Sequence, residues 1–327
     1  MNLYEQQTAN RRRTWIVMAV FIALLVIVGS GFDLFVIGGG RTFVPFGSVA
    51  ALALGSGQAW WSLRFGDRAV LKSAAAEPLS DLLNRAPTED MRLRYQQLDN
   101  VVEEMAIAAG LPKPVIYLVP DPDPNAFATG RDAEHASIAV TDGLLKALTR
   151  DELQGVVAHE MSHVRNLDIR LMTVVAALVG ALVLLADWTT RSIRFGGSRS
   201  GSRGRGGKNG GGAIVFFFVI WLVAIVLAPL LGQMLAMAVS RRREYLADAS
   251  GAELTRNPIG LASALEKIED AVAPTAAIKR GTAHLCIADP LGRRLNQSES
   301  GWANLWASHP PMANRIAALK GMAFQKA

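Results

Sequence analysis

Cysteine is almost missing from this chain. The single thiol, Cys286, rules out an internal disulfide framework and fits a reducing compartment; within HLCIADP it reads as a small buried hydrophobe. Charge is sparse too: 19% of the 327 residues are Asp, Glu, Lys or Arg, and half are hydrophobic. The chain is therefore apolar for a soluble protein, and its apolar residues are clustered. Signatures of RNA or DNA binding are lacking as well. The formal charge of +6 comes largely from basic clusters beside apolar segments, which mark membrane topology, so no nucleic-acid partner is expected.

What is present, first, is a set of long hydrophobic runs that call for a lipid bilayer. TWIVMAVFIALLVIVGSGFDLFVI (Thr14 to Ile37) is too long for a signal-peptide core and has no small-x-small cleavage site. It reads as a retained anchor, with Asp33 at the interface. FVPFGSVAALALGSGQAWWSLRFG (Phe43 to Gly66) is rich in Gly, Ser and Ala, which suits close packing on a partner helix, and Trp60 and Trp61 suit the interfacial belt. Arg11, Arg12 and Arg13 precede this hairpin and Arg64, Arg68 and Lys72 follow it, against Arg41 alone in the connection. The positive-inside rule then places the N-terminus and everything from about residue 68 in the cytoplasm. Two further runs, Leu171 to Ala186 and Ala213 to Val239, flank a Gly/Arg-rich stretch over residues 194–212 that is expected to be disordered. If both runs cross, its basic residues lie outside, against the charge rule. The sequence leaves open whether this second hairpin fully crosses.

The chemistry centres on AHEMSHVRNLD, Ala158 to Asp168. Upstream, Thr149 and Glu152 form a capping box, and Leu153, Val156, Val157, Val164 and Leu167 fit helical spacing. His159 and His163 then stand one turn apart on one face, able to bind one zinc ion, with Glu160 rotated about 100° to act on water as a base. A catalytic zinc takes three protein ligands and keeps one position open. In SRRREYLADASGAEL, Glu244 and Asp248 are four apart on a second helix. Glu244 is the candidate third ligand; Asp248, and less directly Asp168, are candidates to accept from a distal imidazole N–H. A shared site requires both segments on one membrane side, which the two intervening apolar runs allow.

With HExxH, a distant ExxxD and four apolar segments, the chain resembles the HtpX-type membrane zinc metalloproteases, relatives of the CAAX prenyl proteases. NAFATGRDAEHASIAVTDGLL, HEMSHVRNLDI, SRRREYLADASGAEL and SHPPMANRI are similar to the family's motifs, in the family's order. The resemblance implies a zinc endopeptidase of the bacterial inner membrane, multi-pass, with its active site toward the cytoplasm. It implies a quality-control and stress-response role, with misfolded or damaged membrane proteins as substrates. It also implies that His309 helps stabilise the oxyanion and that Arg315 pairs with Glu244. Ala136 to Val140 (Ala136, Ser137, Ile138, Ala139, Val140) reads as a strand from its pattern. The family places such a strand at the cleft edge, where an extended substrate adds to it, bordered by Asn125, Ala126 and Phe127. His135 and His284 read as structural.

The fold expected is α+β and mainly helical: a gluzincin-like zinc protease domain with a small sheet, plus four apolar transmembrane helices. It divides into an N-terminal hairpin (1–70), a first part of the protease domain (71–170), the second hairpin (171–240) and a second part of the protease domain (241–327). Helices are expected over Met91 to Ala109, stopped by Gly110, and from Asn257-Pro258 to about Ala271, with Ile259, Leu265 and Ile268 inward; Lys113 to Val119 is expected as a strand. Two rivals remain: an intramembrane zinc protease, opposed by the polar LTRDELQ before the motif, and a non-enzymatic membrane adaptor with a structural zinc, opposed by the missing fourth ligand.

Overall fold

The structure, a computed structural model, describes residues 3–33, 45–180, 241–271, 285–288 and 310–324. The expectations for residues 181–240, Arg41, His284 and His309 lie outside these.

Two long helices, α1 (Leu3–Phe32) and α2 (Phe46–Ser73), pack along one another through Met18, Phe21 and Ala59. No side chain of α2 caps its own start behind Pro45. Asp33, at the end of α1, accepts instead from the backbone N–H of Gly47 at 2.6 Å and of Ser48 at 2.8 Å. Asp33 is thus buried, because it satisfies N–H groups orphaned at a helix start. Among the described residues, no helix is long and apolar enough to cross a membrane.

After α2 come β1 (Glu77–Pro78), α3 (Leu79–Asn84), α4 (Glu89–Ala109), β2 (Val115–Val119), β3 (Ala126–Gly130) and β4 (Ala136–Thr141). They are followed by α5 (Asp142–Ala147), α6 (Arg150–Arg165) and a helix over 168–180, here α7. Beyond the undescribed segment lie α8 (Arg241–Thr255), α9 (Pro258–Glu269) and α10 (Met312–Phe324). The result is mainly helical with one small mixed sheet. Its strand order is β1-β2-β4-β3, with β2 and β4 parallel and the other pairs antiparallel. α4, α6, α9 and α10 bury their apolar faces with the sheet in one core.

Local chemistry sets the helix ends. Thr88 Oγ1 accepts from Met91 N–H at the start of α4, and Gly110, at φ +67°, ends it in the left-handed region. α6 opens on the Thr149–Glu152 capping box, and the Glu152 carboxylate also binds Ser263 Oγ at 2.6 Å and Lys267 Nζ at 2.7 Å on α9. α9 approaches so closely because Gly155 has no side chain: a Cβ there would lie 2.8 Å from the Leu261 backbone.

Two expectations about this core are corrected. Leu167 does not continue the α6 face; its φ of +58° breaks the chain between α6 and α7, so the histidine motif and the apolar run after it are separate helices. Ile259 is 45% exposed, because the inner face of α9 runs through Leu261, Ala262, Leu265 and Ile268.

Candidate metal and active site

α6 carries His159, Glu160 and His163, all buried. α8 lies against α6 at this level, since Gly251 lacks a Cβ that would sit 3.0 Å from the His159 backbone N. That contact brings Glu244 and Asp248 to the histidines. The His159 and His163 Nε2 atoms are 3.2 Å apart. Glu244 Oε1 lies 3.6 Å from His163 Nε2, and Oε2 lies 3.8 Å from His159 Nε2. One ligand atom from each of the three residues falls within 4.8 Å of the others.

The other ring nitrogens are engaged. His159 Nδ1 is 2.9 Å from Asp248 Oδ1, and His163 Nδ1 is 3.0 Å from Asp168 Oδ2. With each Nδ1–H donated to a carboxylate, both Nε2 lone pairs aim into one space. A tetrahedral ion with Zn–N bonds near 2.0–2.1 Å would hold two such nitrogens about 3.3 Å apart. With both imidazoles neutral, the donor set therefore fits a divalent metal.

The electrostatics follow from burial and charge. Burial pushes Glu160 up to about 7, against the pull of His163 and of a hydrogen bond from Ala128 N–H. Burial lowers His159, offset in part by Asp248. For His163 burial also works downward, yet Asp168, Glu244 and Glu160 together hold it at about 9. Asp248 resists its own burial and stays at about 2 because Arg315 and His159 face it.

Arg315 meets Glu244, and it meets Asp248 as well. It grips Asp248 in a fork by Nε at 2.8 Å and Nη2 at 2.7 Å, while Nη1 donates to Ile287 O at 2.9 Å. Glu244 Oε2 is 3.5 Å from the same Nη1, a weaker contact. A planar guanidinium matches one carboxylate by two parallel bonds, and Asp248 takes that geometry.

The strand expected over Ala136 to Val140 is present, but it does not stand at an edge. Ala136–Thr141 is not an edge: its residues pair with Ala126–Gly130 on one side and Val115–Val119 on the other. Ser137, Ile138, Ala139 and Val140 have no edge left for a peptide, and Ile138 and Val140 lie in the main core. The edge is β3. Ala126 O accepts from Ile287 N–H at 2.9 Å, Gly130 N–H donates to Thr173 Oγ1 at 3.0 Å, and between them Ala128 N–H faces Glu160. Phe127 packs inward with Val70, Val119 and Cys286. Asn125 Nδ2 donates to Ala288 O, holding segment 285–288 against β3.

Two site neighbours escaped the sequence reading. Asn10 Nδ2, on α1, donates to Asp168 Oδ1 at 2.7 Å, and Arg243 Nη1 lies 3.3 Å from the same atom. Arg243 sits beside Glu244 in the chain and could have been found from that adjacency; Asn10 had no signal.

Comparison with known proteins identifies the family. A sequence profile for peptidase family M48 matches residues 92–323, which take in α6, α8 and α10. The chain belongs to peptidase family M48. As a member it is a metallopeptidase, a metal-dependent hydrolase of peptide bonds. "Protease HtpX homolog" of Thermoanaerobacter pseudethanolicus is 41% identical over 320 residues, covering 98% of each chain. The protein of the same name from Lactiplantibacillus plantarum is 41% identical over 321 residues, covering 98% of this chain and 100% of its own. The crystal structure of S. mikatae Ste24p aligns with 97% of this chain and 66% of its own, at TM-score 0.48 and 20% identity. The family read from the motifs is therefore the family found.

Proposed function

We propose that this M48 member is a zinc endopeptidase anchored in a bacterial inner membrane, cutting misfolded or damaged proteins, membrane proteins among them. His159, His163 and Glu244 are the zinc ligands, and Glu160 is the general base. One observation carries the reading: two imidazole Nε2 atoms 3.2 Å apart, each ring fixed from behind by a carboxylate. Zinc held there supplies Lewis acidity, polarising the scissile carbonyl and acidifying water. Glu160, with its pKa near 7, takes a proton from the attacking water and hands it to the leaving amine. Asp248 and Asp168 keep the imidazoles in the ligating tautomer. Arg315 holds Asp248, and through it His159. His309, just ahead of α10, is assigned to the oxyanion by resemblance alone.

A peptide would lie extended along the outer edge of β3 at Ala128, between segment 285–288 and Thr173. The short strip left there favours an unfolded segment over a folded domain.

Membrane attachment is supported by the apolar run from Thr14, which continues past the end of α1 to Ile37. A second support is the outer surface of the α1–α2 pair, where Trp15, Ile27, Phe46, Val49, Leu54 and Trp60 are exposed. Water disfavours such a surface and lipid does not. On this reading residues 1–70 and 171–240 are membrane hairpins, and 71–170 with 241–327 form the cytoplasmic protease domain.

The test is metal analysis and casein hydrolysis on the purified full chain and its Glu160→Gln variant. Both should hold zinc, while hydrolysis falls by roughly 100-fold or more in the variant. Full activity in the variant, or in metal-stripped wild type, overturns the mechanism.

A further inference from the structure

Away from the histidines, α2, the β3–β4 turn and α7 meet around a cavity of about 340 Å³. Trp60, Leu63 and Arg64 of α2 line it, with Arg131 and Asp132 of the turn and Arg170 of α7. Three guanidinium groups thus face one carboxylate. That carboxylate is already engaged: Asp132 receives Arg131 Nε at 3.2 Å and both the ring and backbone N–H of His135. Arg131 in turn touches His135 Nε2. Arg64 and Arg170 make no ion pair among the described residues. Arg64 rests over the Phe65 ring at 5.6 Å. Arg170 Nε is buried with no hydrogen-bond partner among the described residues, while the same side chain lines the cavity. Burial and the nearby Arg11 act against its charge and Asp132 offsets only part of this, so a further anion would relieve it.

The chemistry that answers two unpaired guanidinium groups is a phosphate oxygen pair. The walls narrow this further. Trp60 and Leu63 are apolar, and Val49, Trp60 and Arg64 succeed one another on one side of α2, only about 20° and 40° apart around the axis at 100° per residue. Val49 and Trp60 are both 60% exposed. Val49, Ala53 and Trp60 share this side with Ser56 between the last two, so a mostly apolar stripe runs down α2 and ends at the arginines. We propose that this cavity binds the phosphodiester headgroup of an anionic phospholipid, with an acyl chain along the stripe toward Val49. The lipid source rests on the membrane reading above; the arginines would also accept a free phosphate, and the experiment separates the two.

The full chain in dodecyl maltoside micelles is titrated with phosphatidylglycerol, phosphatidylcholine and inorganic phosphate, with binding followed by native mass spectrometry. Wild type should retain phosphatidylglycerol in preference to phosphatidylcholine, and the Arg64→Gln/Arg170→Gln variant should bind it at least about tenfold more weakly. Equal binding by wild type and variant overturns the site. Inorganic phosphate that binds as tightly as phosphatidylglycerol, and depends on the same arginines, overturns the lipid assignment. Should the double variant misfold, Arg64→Gln alone, on the surface, is expected to weaken binding several-fold, and no loss there counts against the site. Flotation with phosphatidylcholine liposomes tests the membrane reading separately: a chain that stays behind loses that reading, while the micelle titration still decides the cavity.

Discussion

Arg315 is the largest side chain fully enclosed among the described residues. A guanidinium in that position is stable only because Asp248 receives its fork, Ile287 its third donor and Glu244 part of its field. Arg315→Ala leaves two carboxylates buried without their cation, and should cost about 3–5 kcal/mol in urea unfolding, with loss of bound metal. Arg315→Lys keeps the charge but not the fork and should fall between. Asn10 makes a subtler case. Its amide steadies Asp168, which steadies His163. Asn10→Ala should weaken metal binding roughly 10-fold in chelator competition, with little change in far-UV circular dichroism. The contrast explains what could be read from the chain. His159, Glu160 and His163 declare themselves by local spacing on one helix. Asn10 is placed only by how α1 docks, across a separation of 158 residues to Asp168, and no local pattern encodes that.

At the level of elements, the site depends on how closely helices approach. Gly251→Ala would press a methyl against the α6 backbone at His159, moving α8 outward and Glu244 with it. The expected result is a stability loss of about 1–3 kcal/mol and weaker metal binding, read by thermal melts with and without chelator. The α6–α9 contact adds a pH signature. Burial works to raise Glu152, but Lys267, Ser263 and Thr149 overcome it and hold the carboxyl at about 2, below its ordinary value of 4.5. A lowered folded pKa stabilises above the unfolded value and fades as pH falls toward the folded one. Glu152 should therefore contribute about 3 kcal/mol at neutral pH, lost between about pH 4.5 and 2. Urea midpoints for wild type and Glu152→Gln should converge over that window. The capping box was legible because its two partners are three residues apart. The edge of the sheet was not: Ala136–Thr141 looks like any half-buried strand, and only the non-local order β2-β4-β3 shows it has neighbours on both sides.

For the whole molecule, the metal is also a structural tie. It would join α6 to α8 across an undescribed stretch of chain, so its free energy of binding adds to the stability of the fold. Removing it with a chelator should lower the thermal midpoint by roughly 10 °C when the ion had been near a thousandfold above its dissociation constant. An unchanged midpoint would mean that the helices hold the site shape unaided.

The hydrogen bond from Asn10 reaches one step further. α1 is translated before α6 and α8, yet it finishes the environment of the site that those helices build. A newborn chain thus carries an imperfect scissor until α1 has found its berth, so that maturation of the blade and docking of that helix become a single event.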